Sequence, residues 1–363
     1  MKPIAIRPHR YRQLGSSEGA TFCFVTNSNL VDNFTIEKDG SYEDYQTFTY
    51  DPGDDFCRIL QQLPEPAHIF VASPGSFFSS EVATQLGNQR KLLVMPCNST
   101  PTSLEALKHF LDIVEKTDPA IQEDIVERFF SIGENSDYLE IVDDFYGTVA
   151  TFNHLNESYE WFEQAGYVDW GGQQMVPAGE ISCLPLEIDK FNAGLRFEIN
   201  GKIAIKGHPI VHSGPVSFLP EDQARIYQKL SCICEHAIIA TVINGVITEI
   251  TPTHPSVFPA VQMLNAMFEV DSRYRIIWEV GFAINTVLEI LPGNFAMNEV
   301  YGAKNGSIHW GLGIMPYTQY HMDLICPDLS VVGQNNEVLI GQKFDRSLRS
   351  SEIAAGEDNN RIL

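Results

Sequence analysis

What most limits the folds open to this chain is a change of apolar rhythm near residue 138. Before it, short β-rich runs alternate with helical patterns; from Leu139 onward, strands joined by tight turns dominate. The first texture is the signature of α/β layers and the second of a large antiparallel or mixed sheet. Residues 21–26, 68–72 and 91–95 read as strands. Thr102 and Glu105 have capping-box spacing ahead of Leu104, Leu107, Phe110, Leu111 and Val114, which predicts a helix over 103–117. A second helix is expected over 120–132, with Ile121, Ile125, Phe129 and Phe130 on one face. Asn200-Gly201 and Asn244-Gly245 both read as hairpin turns, since the two turn positions need positive φ. Short helices are expected over 220–228 and 255–268. The fold class that follows is an α/β N-terminal domain (1–137) and a larger, β-rich α+β C-terminal domain (138–344). A polar tail, 345–363, is expected to be mobile.

With 363 residues and 44% hydrophobic content the chain can bury a sizeable core. It has no apolar run of about eighteen residues, and its N-terminus, MKPIAIRPHRYRQLG, lacks the features of a secretory signal, so a cytoplasmic protein is expected. The seven cysteines are odd in number and scattered, as a reducing compartment permits. Cys232-Ile-Cys234, followed by His236, lacks zinc-ribbon spacing and reads as a half-buried strand. The balance of 24 basic and 47 acidic residues gives a formal charge of −23, which repels phosphate backbones and anionic headgroups. Neither nucleic acid nor a membrane is an expected partner.

Potential ligands are densest in 305–325, NGSIHWGLGIMPYTQYHMDLI. On a strand, His321 and Asp323 leave the same face and can converge on one ion. His309 lies in a second expected strand, and Pro316 in the connection lets the chain turn back, so a hairpin would bring the two histidines together. An H-x-D triplet alone is more often structural than metal-bound. Two carboxylates in apolar settings shift the balance. Glu279 sits in IIWEVGFAIN, where a lone buried carboxylate needs a metal or a partner such as Arg273 or Arg275. Glu180 follows Gly179 at a strand start bracketed by Pro177 and Pro185. His254, between two prolines, reads as part of a rigid loop; His208 and His212 read as surface or lining residues.

Four blocks then resemble one family. VPAGEISCLP around Glu180, EVGFAIN from Glu279, GSIHWGLG around His309 and YHMDLI around His321 and Asp323 are similar, in order, to elements of the thermophilic aminopeptidases of the T/S group. The 2,5-dihydroxypyridine dioxygenases are more distant relatives. The resemblance implies that Glu180, Glu279, His309, His321 and Asp323 form a metal-binding site for a pair of divalent ions such as zinc, cobalt or manganese. It further implies that Glu180 and Glu279 take part in catalysis, that Tyr317 supplies the family's assisting tyrosine, and that the chain is a homodimer. The spacing departs from the family: the His309–His321 connection is shorter, and the interval from Glu180 to Glu279 is longer.

The leading expectation is therefore a metal-dependent aminopeptidase or related amidase acting on a small peptide or amino-acid derivative. A mononuclear Fe(II) dioxygenase using His309, His321 and Asp323 is the alternative. A non-catalytic peptide-binding protein of a natural-product pathway is the third reading.

Overall fold

The computed structural model describes residues 3–342 apart from 77, 79–83, 98–99, 101, 187, 189–193 and 215–216; the tail expected over 345–363 lies outside the described residues. The fold is mixed α/β, and three large sheets carry it. The first is five-stranded and parallel, with central strands Thr21–Thr26, Ala67–Ala72 and Arg90–Val94. These are apolar on both faces, as a sheet covered on both sides requires. Phe22, Phe24, Phe70 and Leu93 fill the core on one face, and Val25, Ile69, Val71 and Leu92 the core on the other.

The other two sheets are antiparallel and stack on each other. One has seven strands; the other has six, in the spatial order His208–Val211, Met322–Cys326, Ser307–Leu312, Ile277–Ala283, Glu180–Pro185, Tyr159–Gln164. Ile308, Trp310, Leu312, Met322, Leu324, Val280 and Phe282 face the core between these sheets. Because side chains alternate along a strand, residues 307, 309, 311, 321, 323, 279 and 281 point to the other face. That other face carries the site. Elements from both sides of residue 137 share these layers. Strand Gln173–Met175 joins the edge of the parallel sheet, while Val126 and Phe129 of helix Pro119–Glu134 belong to the core between the antiparallel sheets.

Several local expectations are corrected. The helix at Leu104–Lys116 is capped by Ser103, whose hydroxyl accepts the Ala106 N–H, and Thr102 instead donates to the Cys97 and Thr100 carbonyls. On the next helix Ile121 is 55% exposed. Gln122 faces inward in its place, because its amide donates to the Ala178 carbonyl and accepts the Gly166 N–H. Asn244-Gly245 forms the expected hairpin with both φ values positive. Asn200-Gly201 does not turn; it lies inside strand Ile199–Ile205. There Gly201 is required both by its φ of 132° and for space, since a Cβ would strike the Val149 carbonyl oxygen. Ser231–Cys234 is a 3-10 turn, not a strand, with Ile233 its only buried residue. No helix among the described residues is long and apolar enough to cross a membrane.

Candidate metal centre

Strand pairing fixes most of the site. Glu279, Gly311 and Asp323 lie in one cross-strand row, Gly281 and His309 in the next, and Glu180 is paired with Ala283. Glycine at 281 and 311 opens the floor of this face. A Cβ on Gly281 would sit 1.9 Å from the His309 ring, and one on Gly311 would press on Glu279, His321 and Asp323. The missing side chains let His309 lie flat across its neighbour strand and let the carboxylates converge.

The five side chains expected from sequence meet in one cavity, and two more join them. Glu180, Glu279, Glu299 and His309 form one group of ligand-type atoms; His212, His321 and Asp323 form a second. His309 Nε2 is 3.6 Å from Glu180, 3.7 Å from Glu299 and 4.0 Å from Glu279. These gaps are too long for hydrogen bonds, and neither nitrogen of this fully buried ring has a hydrogen-bond partner. They suit a shared ion, because ligand atoms about 2.1 Å from one tetrahedral metal stand roughly 3.4 Å apart. Glu279 also reaches the second group, with one oxygen 3.4 Å from His321 Nε2. Asp323, fully buried, lies 3.1 Å from His321 Nε2 and 2.7 Å from His212 Nε2. His321 is oriented from behind: its Nδ1 donates to the Gly313 carbonyl, 2.8 Å away, which turns Nε2 toward the cavity, where it becomes a ligand once its proton leaves.

Glu299 is the residue sequence reasoning missed, and His212, expected only at the surface or in the lining, brings a ligand-type nitrogen to the site. Glu299 enters from the short 3-10 helix Ala296–Val300, between Asn298 and Val300. With a polar residue beside it, it lacks the apolar run that singled out Glu279. His212 directly follows the edge strand His208–Val211; its N–H bonds the His321 carbonyl, and the Asn294 amide both donates to and accepts from the Val211 backbone. His208 remains on that strand, partly buried beside Tyr301. The arginine partners considered for Glu279 are engaged elsewhere. Arg273 grips Asp271, and Arg275 stacks on Phe268 and donates to the Ile247 carbonyl. His254 lies apart, capping a short turn and stacking on His236.

The charges in this cavity shift one another's protonation. Burial pushes the Glu180 carboxyl up to about 7, with the Glu279 and Asp323 charges adding to it against His309. Burial, followed by the Asp323, Glu180 and Glu279 charges, also drives Glu299 well above its ordinary value. At Glu279 burial is outweighed by the His309 and His321 imidazoles, which hold it at about 2. Burial likewise loses at Asp323, held well below the carboxylate range by His321 and His212. His309 is lifted to about 9 and His321 well above its ordinary value, in each case because neighbouring carboxylates overcome burial. Four acids in a buried space thus keep protons on imidazole and on two carboxyls, and divalent cations can take the place of those protons.

A cavity of about 290 Å³ opens onto Glu279 and His321, walled by apolar Leu184, Ile188, Trp278, Ile314 and Met315. Tyr317 packs with Ile276, Trp278 and Ile314, beside that wall. Tyr320 points away, into the core between the sheets, with its hydroxyl on the Leu219 carbonyl. A larger cavity of about 900 Å³ near Arg128 and Lys304 holds none of the seven ligand-type side chains.

The fold has a solved counterpart. It is similar to that of 2,5-dihydroxypyridine dioxygenase from Pseudomonas putida KT2440, with a TM-score of 0.53 and 14% identity over 92% of this chain and 94% of that one. Wild-type AmpT from Thermus thermophilus overlays with a TM-score of 0.45 and 11% identity, over 89% of this chain and 93% of the other. No family model and no curated protein matches the sequence. At such identities the dioxygenase likeness is one of fold, and function has to be argued from the site.

Proposed function

We propose that the chain is a metal-dependent hydrolase of the aminopeptidase or amidase type, acting on a small peptide or amino-acid derivative. The observation that carries this reading is the pair of ligand groups joined through Glu279, seven oxygen and nitrogen donors without a thiolate. That donor set suits two borderline or hard divalent ions better than one. Bound there, such ions would polarise a scissile carbonyl and lower the pKa of the attacking water to about 7. Glu180 would accept the water's proton and return it to the departing nitrogen. Tyr317 donates to the developing oxyanion, the surrounding carboxylates attract a free amino terminus, and the apolar wall receives the adjoining side chain.

The test is elemental analysis with an activity screen against aminoacyl amides. We expect two ions per chain and hydrolysis that a chelator abolishes. Glu299→Gln should lower metal content below two and reduce turnover. An inactive protein that carries two ions would sink the hydrolase reading.

A second reading is favoured by one observation. His212, His321 and Asp323 form a two-histidine, one-carboxylate set, the arrangement used by non-haem Fe(II) oxygenases, on a fold shared with a dioxygenase. It differs from the His309, His321, Asp323 triad expected from sequence in having His212 in place of His309. A single iron per chain, with oxygen consumption on a dihydroxylated aromatic, would establish it over the hydrolase.

A further inference from the structure

The parallel sheet carries a crevice that the metal centre does not use. In order of appearance its strands are Thr21–Thr26, Asp44–Thr49, Ala67–Ala72, Arg90–Val94 and Gln173–Met175; across the sheet they lie second, first, third, fourth, fifth. The first strand therefore has the second on one side and the third on the other, and the loops leaving their carboxyl ends diverge. In open parallel sheets this switch point is where ligands bind.

Here the divergence is a cavity of about 370 Å³, within the range of small-molecule sites. It is built rather than accidental. Asn27, 3% exposed, donates to the Tyr50 carbonyl and the Ser76 hydroxyl and accepts the Gly75 N–H, so one buried amide pins the loops that follow all three strands. Asp51, on the cavity wall, is aimed by the Ser28 N–H at 2.8 Å on one oxygen.

The lining selects the occupant's chemistry. Its polar side chains are Asn29, Asp51, Asn27 and Thr102, with no lysine or arginine among them, in a chain of net charge −23. A phosphate is repelled there, whereas an oriented carboxylate accepts sugar hydroxyls. Leu30, Pro52 and Pro74 supply apolar walls for a flat ring. We propose that this crevice binds an uncharged nucleoside, with its ribose hydroxyls on Asp51 and Asn29 and its base against Leu30 and the two prolines.

The experiment is calorimetric and saturation-transfer NMR titration of the full chain with adenosine and with AMP. Adenosine should bind saturably at one site, and more tightly than AMP. Asp51→Asn, which keeps the oxygen that Ser28 uses, and Asn29→Ala, at an exposed position, should each weaken it by about tenfold or more while circular dichroism stays unchanged. Glu279→Gln should leave adenosine affinity intact. The proposal is overturned by absence of saturable binding at millimolar adenosine, by AMP binding as tightly, by unchanged affinity in both crevice variants, or by loss confined to Glu279→Gln.

Discussion

Asp323 and His309 are fully buried, yet both face charged neighbours rather than apolar ones. Such residues tie the site to pH. Protons held on Glu180 up to about 7 and on His309 up to about 9 must leave before a cation can bind. Each is a group whose raised pKa keeps the proton at neutrality, so metal affinity falls as the pH drops below these values and rises as it climbs through them. Calorimetry in buffers of different ionisation enthalpy should show protons released on metal uptake; uptake without proton release would contradict the charge pattern. A second expectation separates the two tyrosines. Tyr317→Phe should lower turnover by about 10²-fold with metal retained, the loss typical of one oxyanion donor. Tyr320→Phe, changing a hydroxyl in the core on the far side of the strand, should leave turnover almost unchanged.

Among the elements, the site depends on strand alternation and on two glycines. Val280, Phe282, Ile308 and Trp310 bury one face of the sheet, and the residues between them supply the chemistry. Neither Gly281 nor Gly311 has positive φ; both are required for space. Gly281→Ala should therefore displace the His309 ring and reduce metal content, and overpacking should destabilise the fold by about 1–3 kcal/mol. Denaturant unfolding together with metal analysis checks this, and a variant that keeps both wild-type stability and metal would show that the ring has room to move. The same distinction explains the two Asn-Gly pairs. Asn244-Gly245 turns the chain, whereas Gly201 admits the neighbouring strand's backbone. Sequence shows the same dipeptide in both, because turn and close approach each favour glycine.

Across the whole molecule, Asn285 joins the halves. Fully buried, it donates to the Thr117 hydroxyl and the Ala178 carbonyl and accepts the Val287 and Leu288 N–H groups. It thereby ties the end of helix Leu104–Lys116 to the segment before Glu180 and to the strand that carries Glu279. Gly179 is without a Cβ where one would strike Asn285 at 2.8 Å. Asn285→Ala leaves several buried polar groups unpaired and should destabilise by about 1–3 kcal/mol per orphaned group, with weaker metal retention through movement of Glu180. Urea unfolding monitored by circular dichroism, alongside metal content, reads both; loss of neither would mean that the halves are held by packing alone.

Much of the local structure was written in the sequence. The central parallel strands follow from β-branched and aromatic runs, the start of helix Pro220–Leu230 from its proline, the Asn244-Gly245 hairpin from its turn residues, and the convergence of His321 with Asp323 from a period of two. Glu180, Glu279 and His309 stood out because a carboxylate or imidazole in an apolar run needs a reason to be buried. Tertiary structure decided what periodicity does not encode. It set which strand lies beside which, and hence that Glu299 and His212, more than eighty residues apart, close the same cavity. It also turned Gln122 inward in place of Ile121, since a buried carbonyl at residue 178 needed a donor. Sequence spacing fixes which face a side chain leaves; only packed neighbours fix what waits on that face.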